Sequence, residues 1–482
     1  MLLKDRRVYL ILIVLLAIFM AFWKCGAADL NDWDEARNGV NAYEMCHNKD
    51  LVNLYYNGVP DTWNAKPPLM TWLIVACYHL LGFNEFALRL PSVISSVVFF
   101  IFFFKLIEKL EAPLTAFLTC LVLLSCKAVL GTHVGITGDY DALLLCLLTI
   151  SAYYFVRYAE YGKANAIYGV ALFTAIAFYT KGTAAFIYLP GFILYLLYRN
   201  KLLTVIRSPR TWIASLLFMI ICTSWVGLVL LHGQYNTQSF YGSKNTLETM
   251  LFHDTIRRLA STDFEQVYVP DHFFFFTTID SRLNLWNYLF YVSVLTGLVL
   301  LYRNRNSFLI FITRPSNRLT LFSLFLATPL IVVLTIATNK HAWYLVPAFG
   351  FIAFITVKGI MYLAGRWKPV FAICSCLFVF TITRQFVYLN TRPRELHDLF
   401  NPGNAYFKQC KQVVLAGGQP AQRIFLYLEW LNIPLVKRDR LSIEGLAKNT
   451  VLVLKKDQAW VLPSGRIKTI GYFDDCCLVV VE

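Results

Sequence analysis

Long apolar runs recur along this chain and decide what it can fold into. Eleven stretches of roughly 16 to 22 mainly apolar residues, the length a helix needs to cross a bilayer, fall near 8–23, 89–106, 113–130, 139–157, 164–180, 183–199, 211–232, 285–302, 319–337, 341–362 and 369–388. Only 15% of the 482 residues are charged and 57% are hydrophobic, where a soluble chain carries about 25% charged residues. The chain therefore reads as a polytopic α-helical membrane protein of about 11 transmembrane helices. Lipid offers the backbone no hydrogen-bond partners, so each span must be helical.

A formal net charge of +15 raises the question of a polyanionic partner, and its distribution answers it. With the N-terminus placed in the cytoplasm, one face holds Lys4, Arg6 and Arg7; Lys105 and Lys109; Arg157 and Lys163; Arg199, Lys201, Arg207 and Arg210; Arg303, Arg305, Arg314 and Arg318; Arg366 and Lys368. The short turns on the other face hold only Lys181 and Lys340. This is the asymmetry that sets membrane orientation, and it calls for no nucleic acid. Lys4-Asp5-Arg6-Arg7 before the first run suggests a signal peptide, but the run is long and Trp23-Lys24 interrupts the expected cleavage region. An uncleaved anchor is expected. The twelve cysteines show no metal-ligand spacing, and most lie in apolar runs, where cysteine acts as a small hydrophobe. Cys25, Cys46, Cys410, Cys476 and Cys477 are the candidates for a disulfide on the outer side.

The spans group into a membrane domain over residues 1–390, with outer loops at 26–88 and 233–283. Leu69 to Leu81 is too short to span and reads as a helix lying on the membrane or against the bundle. The second loop is aromatic, with Tyr235, Tyr241, Tyr268 and Phe273 to Phe276. Hydropathy then falls, and residues 391–482 read as a small extracytoplasmic α/β domain. Its expected strands are Arg423–Leu428, Thr450–Leu454 and Leu478–Val481, with a helix over Asn404–Leu415.

Charge near the span ends collects on the outer face. Asp34 and Glu35 follow the first span. Lys66-Pro67-Pro68 comes some thirty residues later. Asp139-Tyr140-Asp141, Lys181-Gly182 and Lys340-His341-Ala342-Trp343-Tyr344 sit at further outer ends, and His133 reads as a turn residue. Ionisable groups at a membrane boundary point to function. A carboxylate can take the proton of an attacking hydroxyl, and lysines hold a phosphate as point charges. Together with a large apolar bundle, these groups suit transfer of a lipid-phosphate-linked group to a hydroxyl acceptor. Glu35 also reads as a structural partner of Arg37 or Arg89, Lys181 as part of a helix turn, and His341 as a structural histidine.

Six segments carry a family resemblance in chain order. They are Asp34-Glu35-Ala36-Arg37, Lys66-Pro67-Pro68-Leu69, Asn84-Glu85-Phe86 with Arg89-Leu90-Pro91-Ser92, Asp139-Tyr140-Asp141-Ala142-Leu143-Leu144, Lys181-Gly182, and Lys340-His341 with Tyr344 and Pro347. The chain resembles the GT-C glycosyltransferases of the protein O-mannosyltransferase and aminoarabinose (lipid A) transferase superfamily across residues 1–390. The resemblance implies a polyprenyl-phosphate sugar donor, no cofactor, metal-independent inverting transfer, and a site on the outer face of the cytoplasmic membrane. It makes Asp34 the base, Asp139 or Asp141 a second acid, and Lys66, Lys340 and Tyr344 the donor-phosphate ligands. Ala65 stands where family members often have an acid, so a metal held by that acid is not expected. The acceptor, whether glycolipid, protein or glycan, stays open. A transporter or flippase is the competing class, but the charges gather at one face and no inverted repeat or pair of broken helices is seen.

Overall fold

The computed structural model describes residues 5–61, 63–233, 246–251, 255, 271–303, 307–337, 340–401, 403–416, 422–438, 446–455, 466–474 and 476–481. Tyr235, Tyr241 and Tyr268 of the expected second outer loop, and Lys4 and Arg305 of the expected basic face, lie outside these residues.

Helix α1 (Arg6–Phe22) leads through a loop to α2 (Asp34–Asn48), the hairpin β1 (Tyr55–Tyr56) and β2 (Val59–Pro60), and α3 (Leu69–Leu81). Then follow α4 (Glu85–Glu108), α5 (Pro113–Leu124), α6 (Tyr140–Ala159), α7 (Ala166–Lys181), α8 (Leu189–Tyr198), α9 (Leu202–Arg207) and α10 (Pro209–His232). The bundle continues with α11 (Phe274–Leu283), α12 (Trp286–Tyr302), α13 (Arg318–Ile336), α14 (Val346–Ala364) and α15 (Pro369–Asn390). Seven helical segments among the described residues are long and apolar enough to cross a membrane: Glu85–Glu108, Tyr140–Ala159, Ala166–Phe186, Pro209–His232, Pro315–Ile336, Ala342–Ala364 and Pro369–Leu399. The other expected spans are shorter helices: α1 and α12 of 17 residues, α5 of 12 and α8 of 10.

Burial separates the centre of the bundle from its rim. The apolar window of α6 is 78% buried, against 22% for α10 and for the segment containing α15. Helix α6 is thus the central post, while α10 exposes mainly Leu and Ile and α15 exposes Phe371, Ile373, Val379, Phe380 and Val387, faces suited to lipid. A cluster of fully buried rings, Phe99, Phe100, Phe103 and Phe104 on α4 with Phe322, Phe349 and Phe354, fills the interior. Such rings gain from edge-to-face and offset contacts as well as from leaving water.

The C-terminal segment builds a five-stranded sheet from β3 (Val413–Ala416), β4 (Leu435–Arg438), β5 (Val451–Lys455), β6 (Ile467–Phe473) and β7 (Cys476–Val481), in the order β4-β3-β5-β7-β6. Strand β3 pairs in parallel with β4 and β5, and β7 runs antiparallel to β5 and β6. Two expectations are corrected. Residues 423–428 form no strand but lie in helix α16 (Gln422–Trp430), because parallel β3 and β4 need a crossover of about a dozen residues. Residues 404–415 are not one helix: the helix ends at Gln409 and β3 begins at Val413. All twelve cysteines are free thiols, so the outer disulfide is absent.

Candidate active site

The loop after α1 enters α2 through Trp33, whose φ of 64° is costly for a residue with a side chain. That bend opens the helix at Asp34 and sends its two acids in different directions. Asp34 keeps a side-chain exposure of 32%, while Glu35 is fully enclosed. Glu35 accepts from Arg89 Nε at 2.6 Å and Nη2 at 3.2 Å, from the Gly138 amide at 2.9 Å, and from the Asn31 amide and side chain at 2.7 and 2.8 Å. Arg89, equally enclosed, also donates to the carbonyls of Cys25, Ala28 and Asp29. Burial alone would raise the Glu35 pKa. The Arg89 guanidinium overrides burial and lowers it to about 2. Glu35 therefore ties the α1–α2 loop, α4 and the 138 turn together, the structural alternative open in the sequence.

Asp139 precedes α6 and is buried. It does not use its side chain as a helix cap. Instead Oδ2 accepts from Thr137 Oγ1 at 2.5 Å. Burial, with the negative charge of Asp34 and Glu35 nearby, pushes its pKa well above the usual carboxylate range. His133 joins the two acids, with Nδ1 3.7 Å from Asp34 and 3.8 Å from Asp139. These separations suit one bridging water or ion. Burial lowers the His133 pKa against the pull of Asp34 and Asp141, so the ring is neutral at pH 7. It stacks on Trp343 at 3.9 Å, and Trp343 stacks on His341 at 4.5 Å. From the sequence His133 reads as a turn residue; its φ of 62° agrees with the turn, but the ring enters the site. The donor atoms of Asp34, His133 and Asp139 lie within 4.8 Å of one another. Two carboxylate oxygens and one imidazole nitrogen are a donor set that fits a borderline divalent ion.

Asp141 lies one helical step away and has a different partner. Lys181 Nζ donates to both its oxygens, at 2.7 and 2.8 Å, and sits 5.7 Å from the Tyr344 ring. Lys66, braced by Pro67 and Pro68, donates to Asn64 Oδ1 at 2.9 Å and lies 5.1 Å from the Tyr140 ring. Asn64 in turn donates to Asn38, Asn41 and Tyr140, so the lysine is registered against α2 and α6. These groups share a cavity of about 270 Å³. Its polar wall carries Lys66, Asp141, Lys181 and Tyr344; its apolar wall carries Ile187 and, from α13, Leu330, Val333 and Leu334. Asp34, His133 and Asp139 are not in that wall. Lys340 is not in it either: its Nζ donates to the Asp271 carbonyl at 3.0 Å.

Two further residues escaped the sequence reading. Asp61 is buried and binds Arg37 through bonds of 2.7 and 2.8 Å, bracing the first turn of α2. Arg282 donates to the Thr132 carbonyl at 3.0 Å and holds the turn that carries His133. Each lies far in sequence from its partner, and neither falls in a motif.

The chain's resemblance to the GT-C glycosyltransferases of the protein O-mannosyltransferase and aminoarabinose transferase superfamily holds in both fold and sequence. Residues 65–227 match the family described as dolichyl-phosphate-mannose-protein mannosyltransferase. The undecaprenyl phosphate-alpha-4-amino-4-deoxy-L-arabinose arabinosyl transferase of Pseudomonas savastanoi pv. phaseolicola is 26% identical over 231 residues. That stretch is 47% of this chain and only 40% of the relative's length. Among solved structures, ArnT from Cupriavidus metallidurans bound to undecaprenyl phosphate superposes with a TM-score of 0.70 at 16% identity, over 98% of this chain and 97% of that one. The oligosaccharyltransferase AglB from Archaeoglobus fulgidus, in complex with an inhibitory peptide and a dolichol-phosphate, matches at 0.54 and 11% identity, over 89% and 64% of the two chains.

Proposed function

We propose that the protein is an integral-membrane glycosyltransferase that moves a sugar from a polyprenyl-phosphate donor to a hydroxyl or phosphate acceptor, on the outer face of the cytoplasmic membrane. One observation carries the reading: a single cavity joins two lysines and a tyrosine to an apolar wall of membrane helices. A prenyl chain suits the apolar wall, and a phosphate suits the lysines. The similar ArnT structure is bound to undecaprenyl phosphate, which supports this class of donor. A transport function gains no support from any of the relatives.

In this reading the acceptor oxygen attacks the anomeric carbon opposite the phosphate, and the carbon–oxygen bond to phosphate breaks. The electron pair leaves with the polyprenyl phosphate, whose charge Lys66 and Lys181 offset. The acceptor proton passes to Asp34, the half-exposed acid at the head of α2. Attack opposite the leaving group inverts the anomeric centre, and no metal takes part. Asp139, whose neutral form is favoured by burial and by the negative charge of Asp34 and Glu35, serves as a hydrogen-bond donor beside Asp34 rather than as a second base.

The Asp34, His133 and Asp139 cluster favours a second reading, in which a divalent ion orients the acceptor. The test is transfer from a defined undecaprenyl-phosphate sugar in detergent, with and without a chelator. Full activity in EDTA together with an inverted product supports the metal-free route. Activity lost in EDTA and restored by a divalent ion supports the second reading. Net lipid-linked flux in proteoliposomes without acceptor, and no transfer, would refute both.

A further inference from the structure

Two acids meet outside the site, Glu44 buried and Glu429 half-buried. Glu44 is on α2, ten residues past Asp34, and Glu429 is on α16 of the C-terminal segment. Glu44 Oε2 accepts from the Gly58 amide at 3.0 Å. Glu44 Oε1 and Glu429 Oε2 are both buried, and no donor among the described residues reaches either; the two carboxyls act directly on each other. Two buried carboxylates cannot be satisfied in this way, since each only accepts; a proton held between them supplies the missing donor.

Among the described residues no cation pairs with either acid. Asp61 adds negative charge beside Glu44, and the phenols of Tyr43, Tyr56 and Tyr78 face Glu429. The Cys46 thiol is the other titratable group nearby, close to Tyr43 and Tyr78. Arg37, the cation on the same helix, is held by both oxygens of Asp61 and covered by the Tyr56 and Trp63 rings. His47 lies against the Tyr43 ring at 4.3 Å.

The pair closes one end of a longer contact. At the other end the Arg423 amide donates to Asp32 at 3.1 Å, and Arg423 Nε lies 3.4 Å from the same carboxylate. Between them Leu426 fills the notch at Gly39, where an added Cβ would come within 2.3 Å of Leu426 Cδ2. Helix α16 thus lies along α2 from the loop before Asp34 to Glu44.

We propose that Glu44 and Glu429 form a proton-held latch that docks α16 on α2 and so positions Asp34, and that the docking weakens as the surrounding medium turns alkaline. The docking stands on its own; only the positioning of Asp34 rests on the proposed transfer. Burial, then the charge of Glu44, pushes the Glu429 pKa from 4.5 up to about 9. The sign follows from linkage: the docked pair keeps a proton that the separated helices release above pH 4.5. Docking is therefore strongest below that pH, weakens by up to ~10-fold per pH unit above it, and loses this contribution as pH passes about 9.

Hydrogen exchange of residues 422–430 in the full-length protein tests the latch, with protection corrected for intrinsic rates between pH 5.5 and 9. Protection in the wild type should fall progressively, by up to ~10-fold per unit. Glu429→Gln should flatten the slope, since its amide donates to Glu44 without a titrating proton. Glu44→Gln should do the same and serves if the first variant folds poorly. A flat wild-type profile, or a variant that keeps the wild-type slope, overturns the latch. In a transfer assay kcat should follow the same slope while donor KM holds, and Glu429→Gln should remove it. A kcat independent of pH alongside sloping protection overturns the positioning role. Sloping protection with no transfer at any pH keeps the latch and refutes the transferase reading.

Discussion

Asp34 and Glu35 adjoin in sequence and part in space, because successive helix residues turn by about 100° around the axis. One stays partly exposed beside His133 and the other faces the Arg89 pillar. Asp34→Asn should cut turnover by ~100-fold or more while undecaprenyl-phosphate binding persists; unchanged turnover would exclude Asp34 as the base. Glu35→Gln should act on stability instead. It leaves Arg89 buried with a weaker partner, at a cost of about 3–5 kcal/mol, visible as a lower Tm. Because the folded pKa of Glu35 is depressed to about 2, its contribution is present above an unfolded value near 4.5 and is lost as pH falls toward 2. Asp139 sits on the other side of that logic. Burial and the neighbouring acids favour its neutral form, so it should tolerate Asp139→Asn within ~10-fold of wild-type turnover. A loss as deep as that of Asp34→Asn would show that its charged form does the work.

The elements show why some of this was legible in the sequence and some was not. The spans announce themselves because lipid imposes a length and a composition on each segment separately. Lys66-Pro67-Pro68 was readable because proline fixes the backbone locally, and the lysine does line the cavity. Helix α16 was misread because Arg423 to Leu428 is a short apolar run whose period cannot separate strand from helix; packing on α2 decides it. His133 was discounted because the turn hides the direction of its ring, which Arg282 and Trp343 fix from distant parts of the chain. The same limit applies to Lys340, whose place at an outer span end could not reveal the Asp271 carbonyl. The cavity separates the two lysines by experiment. Lys66→Ala should weaken undecaprenyl-phosphate binding by ~10- to 1000-fold, about 1.5–4 kcal/mol. Lys340→Ala should change binding less than that. Equal losses measured by titration would return Lys340 to the phosphate.

At the scale of the whole molecule, α6 sets the polarity of the bundle. Asp141 stands at its first turn and Arg157 at its last, about 25 Å apart along a rise of 1.5 Å per residue. The acids and lysines of the site collect at the first end. At the other, Glu160 binds Arg199 and Arg318, and the remaining basic loops follow. A charge separation of this kind orients a protein in the membrane, basic end inward. It leads to a prediction about compartments. Counting spans from an inside N-terminus, Arg210, in the first turn of α10, falls on the cytoplasmic side. Five of the expected spans lie between Arg210 and Asn401, an odd number, so Asn401 falls outside. Reporter fusions that are active only in one compartment should give opposite signals at Arg210 and at Asn401. The same signal at both would mean that the span count is wrong by an odd number. The shorter apolar helices α8 and α12, of 10 and 17 residues, mark where fusions should be placed next. Arg210 and Asn401 bracket α12 but not α8, so an error at α12 would reverse their relation, and one at α8 would move both sites together.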